Sequence, residues 1–157
     1  MEAEEINIGN SKTSPLSAGL QLSPTKTDLN KVMTKVGKLW NFDVLWFENI
    51  SDKVAMIEIS LYLLEEFNLK SKFRMNEFKV INFFTQIQKV SLSKIQLYQD
   101  NPYHNSRHAI DVTSSTLFLL SNSLVLRHLS SIDLLSAIIS SVCHDVGHIG
   151  FTSRFLV

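Results

Sequence analysis

The chain has little cysteine, little proline, no excess of charge of one sign and no long uninterrupted apolar run. Its 157 residues include one cysteine, Cys143, so no disulfide can form within the chain, and a reducing compartment is indicated. Lys and Arg together number 15, and so do Asp and Glu, which leaves no basic excess of the kind that nucleic-acid-binding proteins carry. The composition therefore predicts a protein without a nucleic-acid partner.

The apolar runs are too short for a membrane-spanning helix, which needs roughly 18 consecutive apolar residues. The best candidate, Leu117–Leu126, is interrupted by Ser121, Asn122 and Ser123. The N-terminus, with the sequence MEAEE, lacks the basic and apolar regions of a secretory signal. We therefore expect no transmembrane segment and a cytoplasmic location.

The hydrophobic residues, 45% of the chain, lie mostly downstream of a polar N-terminal stretch. Residues 1–27 are polar and hold Pro15 and Pro24, so they offer too little apolar surface to offset the cost of ordering. We predict a disordered tail over residues 1–27 and one folded domain over residues 28–157. A domain of this size can bury a sizeable core.

Apolar periodicity predicts helices throughout the folded part of the chain. Ser51 is a suitable N-cap for the first long helix. Asp100-Asn101-Pro102 should end the second, since the residue before a proline disfavours helix. The predicted helices cover residues 52–67, 76–98, 104–120 and 131–143. No alternation typical of strands is sustained, so the predicted fold class is all-α, a multi-helix bundle.

The most informative stretch is the polar end of an apolar helix. The apolar positions of residues 132–143 recur at helical spacing, so this helix should be buried and should carry His144 and Asp145 to the edge of the core. A buried carboxylate needs a cation or several hydrogen bonds, because burying an unpaired charge is very unfavourable. A divalent metal ion would meet this need, and His and Asp are both common ligands. The alternative is structural, with the Asp capping a loop and the His packed against a helix end.

Four of the five histidines form two pairs with the same spacing. His104 and His108 are four residues apart, and so are His144 and His148, so the members of a pair can share one face of a helix. Any one of these histidines could have a purely structural role. Together with Asp145, however, the two pairs favour a metal site between the ends of two antiparallel helices.

Two longer motifs resemble the class I cyclic nucleotide phosphodiesterases. They are Asn101–Val112, with the sequence NPYHNSRHAIDV, and His144–Gly150, with the sequence HDVGHIG, in the same order as in that family. Trp40–Val44 resembles the start of the same catalytic domain, so the resemblance covers about residues 38–157 and implies the N-terminal part of that domain. It implies an enzyme of signal transduction that hydrolyses the 3′,5′-cyclic phosphate of cAMP or cGMP to the 5′-monophosphate.

The resemblance also implies roles for individual residues. The zinc site of the family takes two histidines and two aspartates, and a second metal ion, usually Mg²⁺ (or Mn²⁺), shares one of the aspartates. By position, His108, His144 and Asp145 would be metal ligands, with Asp145 bridging both ions. His104 would be the general acid that protonates the leaving 3′ oxygen. The other matching residues would lie beside the metals or line the substrate pocket; they are His148, Tyr103 and Asn105.

Some positions depart from the family pattern. The family often has an acidic residue in place of Gly147 and a proline in place of Ile149, and asparagine is usual at Ser153. The chain ends at Val157, before the family's last metal-binding Asp and its purine-binding glutamine, so we expect an incomplete catalytic domain. The alternatives are a non-catalytic interaction fragment and a different His-Asp metal phosphohydrolase.

Apolar side chains on the last two predicted helices exceed what the available helices can cover. The residues concerned are Leu117, Phe118, Leu120, Ile138 and Ile139. We therefore expect an exposed apolar surface that supports self-association.

Overall fold

The computed structural model describes residues 26–52, 54–88, 97–98, 101–121 and 124–155. Within these ranges the chain forms seven α-helices, two short 3₁₀ turns and no strand, which confirms the predicted all-α fold. The helices are α1 (Lys26–Met33), α2 (Val44–Ile50), α3 (Ala55–Glu66), α4 (Leu69–Lys72), α5 (Glu77–Gln88), α6 (Ser106–Ser121) and α7 (Ser131–Cys143). The predicted tail over residues 1–27 lies almost entirely outside the described ranges and stays a prediction.

The core is built around α3, which packs against α5, α6 and α7. The side chains of Ile59 and Leu64 on α3, Leu117 on α6 and Ile138 on α7 are all buried in one cluster. Helices α6 and α7 pack extensively on each other, with the start of α6 beside the end of α7. This antiparallel packing places the polar ends of both helices at one edge of the core.

The start of α7 is fixed by a reciprocal cap. The Ser130 hydroxyl accepts a hydrogen bond from the Asp133 backbone N–H, while the Asp133 carboxylate accepts from the Ser130 N–H at 2.8 Å and from its hydroxyl. These hydrogen bonds lower the pKa of Asp133, because they stabilise its charged form. From this cap α7 runs 13 residues to Cys143, so the register that places His144 at its end is set locally.

Three predicted helix boundaries are wrong. Ser51 does not begin a helix but ends α2. The Asp43 carboxylate caps the start of α2 by accepting a hydrogen bond from the Trp46 backbone N–H, so the chain is already helical before Ser51. The helix predicted over residues 76–98 is too long, since α5 ends at Gln88 and residues 97–98 form a bend. The helix predicted from residue 104 begins at Ser106 instead.

The apolar residues predicted to remain uncovered have mixed exposure. Leu117 and Ile138 are buried, whereas Phe118, Leu120 and Ile139 are half-buried. Self-association through this surface stays a prediction. In the part of the chain described above, no helix is both long and apolar enough to cross a lipid bilayer.

Candidate metal centre

Asn105 fixes the start of α6 and thereby the position of His108. The Asn105 side-chain oxygen accepts hydrogen bonds from the backbone N–H groups of Arg107, at 3.0 Å, and His108, at 3.2 Å. These are the free donors of a helix N-terminus, and an asparagine before the helix satisfies them well. Since Asn105 ends the preceding loop, His104 lies outside the helix while His108 lies in its first turn.

The end of α7 determines which nitrogen of His144 is free. His144 Nδ1 lies 2.9 Å from the Ser141 carbonyl oxygen. A carbonyl oxygen can only accept, so Nδ1 carries a hydrogen, and in the neutral ring the lone pair is therefore on Nε2. A hydrogen bond from one ring nitrogen to a carbonyl is a common way of holding a metal-binding histidine.

Three ligand atoms converge between the two helix ends. His144 Nε2 lies 3.3 Å from His108 Nε2 and 3.1 Å from Asp145 Oδ2, and the third separation, between His108 Nε2 and Asp145 Oδ2, is 3.5 Å. Asp145 Oδ2 is buried and has no hydrogen-bond partner. When the His144 ring is neutral, its Nε2 bears a lone pair and cannot donate to this oxygen. Two electron-rich atoms then face each other, an arrangement that a bound cation would stabilise.

This arrangement fits a divalent cation. A tetrahedral zinc ion binds nitrogen and oxygen ligands at about 2.0–2.2 Å, which places two such ligands roughly 3.3 Å apart. The three observed separations, 3.1, 3.3 and 3.5 Å, bracket that value. Burial lowers the pKa of His108, which favours the neutral ring that a metal ligand needs. A cation would also compensate the charge at Asp145 Oδ2, which is buried without a hydrogen-bond partner.

His104 and His148 lie beside this cluster and stack on each other. Their ring centroids are 3.8 Å apart and the ring planes are inclined by 18°. His148 Nδ1 accepts a hydrogen bond from Gly150 N–H at 3.0 Å, which leaves the hydrogen of the neutral ring on Nε2. The His104 ring centroid is 5.9 Å from that of His108, so His104 adjoins the metal cluster without belonging to it.

An open cleft of about 480 Å³ adjoins the His108 side of the cluster. Tyr103 and Asn105 both line it, together with Arg107, whose guanidinium pairs with the Glu48 carboxylate of α2 at 2.7 Å. The Tyr103 ring is 63% exposed and lies 4.4 Å from the His108 ring, measured between centroids. The cleft therefore presents the exposed Tyr103 ring next to the cluster. Asn105 and Arg107 on its wall are already engaged, Asn105 in capping α6 and Arg107 in the ion pair with Glu48.

Sequence reasoning missed two residues of this region, Tyr98 and Asn101. The Tyr98 hydroxyl contacts the end of α7, and the Asn101 amide donates to the carbonyl oxygens of His104 and His148. The apolar pattern predicts a helix that includes Tyr98, and Asn101 belongs to the predicted helix stop and to the motif Asn101–Val112, neither of which assigns it a role. Its place inside that motif is the one sequence signal for Asn101.

Two glycines after the His-Asp pair differ in a testable way. Gly147 and Gly150 both have positive φ angles, +80° and +85°. A Cβ at Gly147 would meet nothing within 4 Å, whereas one at Gly150 would lie 2.7 Å from Asn101 Oδ1. Gly147→Ala should therefore lower the free energy of unfolding by about 1–2 kcal/mol, the cost of a left-handed alanine, and Gly150→Ala by more. Denaturant unfolding measures both, and equal losses would show that Asn101 moves aside freely.

Residues 103–157 match the family model described as 3′5′-cyclic nucleotide phosphodiesterase. This stretch contains both histidine pairs and the His-Asp pair.

Individual relatives match over more of the chain. It is 31% identical, over 74% of its length, to the high affinity cAMP-specific and IBMX-insensitive 3′,5′-cyclic phosphodiesterase 8A of Mus musculus. It is also 31% identical, over 87%, to the dual specificity calcium/calmodulin-dependent 3′,5′-cyclic nucleotide phosphodiesterase 1C of Homo sapiens. Over 67% of its length it is 30% identical to the cGMP-specific 3′,5′-cGMP phosphodiesterase 3 of Dictyostelium discoideum. The chain spans only 14%, 18% and 21% of these three relatives.

Proposed function

The chain belongs to the 3′,5′-cyclic nucleotide phosphodiesterase family, and from this membership we propose that it contributes to metal-dependent hydrolysis of cAMP or cGMP to the 5′-monophosphate. The observation that carries the proposal is the buried, unpaired Asp145 Oδ2 facing the Nε2 atoms of His108 and His144. A purely structural carboxylate would be hydrogen-bonded at this depth. The convergence of three ligand atoms instead supports a metal centre.

We propose that His108, His144 and Asp145 would hold one divalent ion and that Asp145 would also help to hold a second. Nitrogen ligands suit Zn²⁺, and a second ion that depends on carboxylates is expected to be Mg²⁺ or Mn²⁺. Ions held there would supply positive charge for the phosphodiester and would activate water for attack on phosphorus.

We assign His104 as the general acid of this reaction. The 3′ alkoxide of ribose is a poor leaving group unless it is protonated as it departs, and histidine can donate a proton near neutral pH. His104 lies beside the cluster, and the His148 ring stacks on the His104 ring and thereby fixes its orientation. Tyr103 and Asn105, on the wall of the neighbouring cleft, are proposed to contact the nucleotide.

The test is metal binding and hydrolysis by the purified full chain. We expect zinc to compete with a chromogenic chelator for binding, and Mg²⁺ or Mn²⁺ to support turnover of cAMP or cGMP. A cyclic dinucleotide serves as control substrate, because its hydrolysis would favour a different His-Asp phosphohydrolase. Metal binding without turnover of either substrate would favour the non-catalytic interaction fragment. A chain that neither binds a divalent metal nor hydrolyses these substrates would overturn the proposal.

We also propose that the protein is cytoplasmic and that it self-associates through the partly exposed apolar side chains of α6 and α7.

A further inference from the structure

The loop that carries the candidate ligands is held by residues that precede α6. Gly147 N–H donates to the Leu97 carbonyl oxygen at 2.7 Å, and the Asn101 side-chain amide donates to the His148 carbonyl oxygen at 2.7 Å. Tyr98 lies between Leu97 and Asn101 in the sequence. The loop after α7 is therefore held from outside as well as by its own hydrogen bonds, such as His148 N–H to the Asp145 carbonyl oxygen.

The Tyr98 hydroxyl makes two hydrogen bonds to the end of α7. It donates to the Val142 carbonyl oxygen at 2.9 Å and accepts from the Asp145 backbone N–H at 3.3 Å. The last carbonyls of a helix have no partner within the helix, so the first bond satisfies a group that burial would otherwise leave unpaired. The second bond is to the backbone of the candidate bridging ligand itself. Tyr98 is 1% exposed, so water cannot replace its hydroxyl without a change in packing.

These bonds bear directly on the ligand geometry. The position of a carboxylate depends on the position of its own backbone, and Asp145 Oδ2 lies 3.1 Å from His144 Nε2. A shift of the Asp145 backbone would therefore carry the carboxylate away from the two histidines. The Tyr98 hydroxyl opposes such a shift, because it accepts a hydrogen bond from the Asp145 N–H and is itself bonded to the end of α7.

We propose that Tyr98 is a positioning residue for the metal centre, its hydroxyl holding Asp145 in the orientation in which the carboxylate meets His108 and His144. This inference rests on the proposed function in so far as the cluster binds a metal ion. It adds a residue outside both histidine motifs, since Tyr98 precedes the match to the family model, which begins at residue 103.

The test is Tyr98→Phe, which removes one oxygen atom and keeps the ring. The matched control is Tyr62→Phe on α3, where the lost hydroxyl donates to Glu66 at the surface. Zinc affinity of the full chain is measured by chelator competition, and hydrogen exchange of the Asp145 backbone amide is measured without metal. We expect Tyr98→Phe to weaken zinc binding by about 10–100-fold, as outer residues of metal sites do. Exchange at Asp145 should accelerate by about fivefold, the effect of one lost hydrogen bond. Tyr62→Phe should change neither quantity.

Unchanged zinc affinity would overturn the inference whatever the exchange at Asp145, because the hydroxyl would then not position the metal centre. A Tyr98→Phe chain that fails to fold would also overturn it, because the hydroxyl would then serve the whole fold. A wild-type chain that binds no zinc would overturn the proposed function instead. In that case, faster exchange at Asp145 in Tyr98→Phe would still support the restraint on the loop, and unchanged exchange would refute it.

Discussion

Asp145→Asn should weaken zinc binding by more than about 100-fold, since even outer residues of metal sites cost 10–100-fold when they are changed. The same substitution should stabilise the metal-free chain, by roughly 1 kcal/mol. The reason is that Asp145 Oδ2 is buried without a hydrogen-bond partner and lies 3.1 Å from His144 Nε2, which bears a lone pair in the neutral ring. An asparagine of the same shape removes the unpaired charge, and its amide can donate to that nitrogen. Metal affinity and stability are therefore expected to move in opposite directions.

The measurements are zinc affinity by chelator competition and denaturant unfolding in the presence of a chelator. Asp133→Asn is the matched control, with the same change at the opposite end of α7. Its carboxylate is hydrogen-bonded to Ser130, so the control should lose stability and keep its zinc affinity. If Asp145→Asn bound zinc as tightly as the wild type, or lost stability without metal, the carboxylate would be a structural group and the metal centre would be refuted.

The periodicity of the helices was sufficient to predict which two helix ends meet, whereas the choice of His108, His144 and Asp145 as ligands followed from the family resemblance. The apolar pattern of residues 132–143 sets the register of α7, and the observed helix, Ser131–Cys143, ends next to His144 as predicted. The spacing of His104 and His108 likewise placed His108 on α6. Antiparallel packing of two consecutive helices then brings the two ends together.

The restraint by Tyr98 could not be predicted, because it depends on a contact between residues 44 positions apart. Periodicity is a local signal. An apolar pattern that continues to residue 98 predicts a helix up to that residue, and it does not show that the chain bends at residues 97–98. The error at Ser51 has a similar origin. Ser51 is a good N-cap by type, but the competing cap at Asp43 begins α2 earlier and makes Ser51 the residue that ends it.

His104→Gln should lower the rate of cyclic nucleotide hydrolysis by about 10²–10⁴-fold while zinc affinity stays close to that of the wild type. His104 lies outside the metal cluster and stacks on His148, so its loss removes a proton donor and no ligand. His128→Gln is the matched control, because His128 is exposed in the 3₁₀ turn Leu126–His128 and should affect neither quantity.

Two substrates with different leaving groups distinguish a general acid from a residue that only maintains the shape of the site. The 3′ alkoxide needs a proton as it departs, whereas p-nitrophenolate leaves without one. His104→Gln should therefore still hydrolyse a p-nitrophenyl phosphodiester at nearly the wild-type rate, although its turnover of cAMP or cGMP is lost. Equal losses with both substrates would contradict the assignment of His104 as the acid. They would show instead that its stacking on His148 maintains the geometry on which every substrate depends.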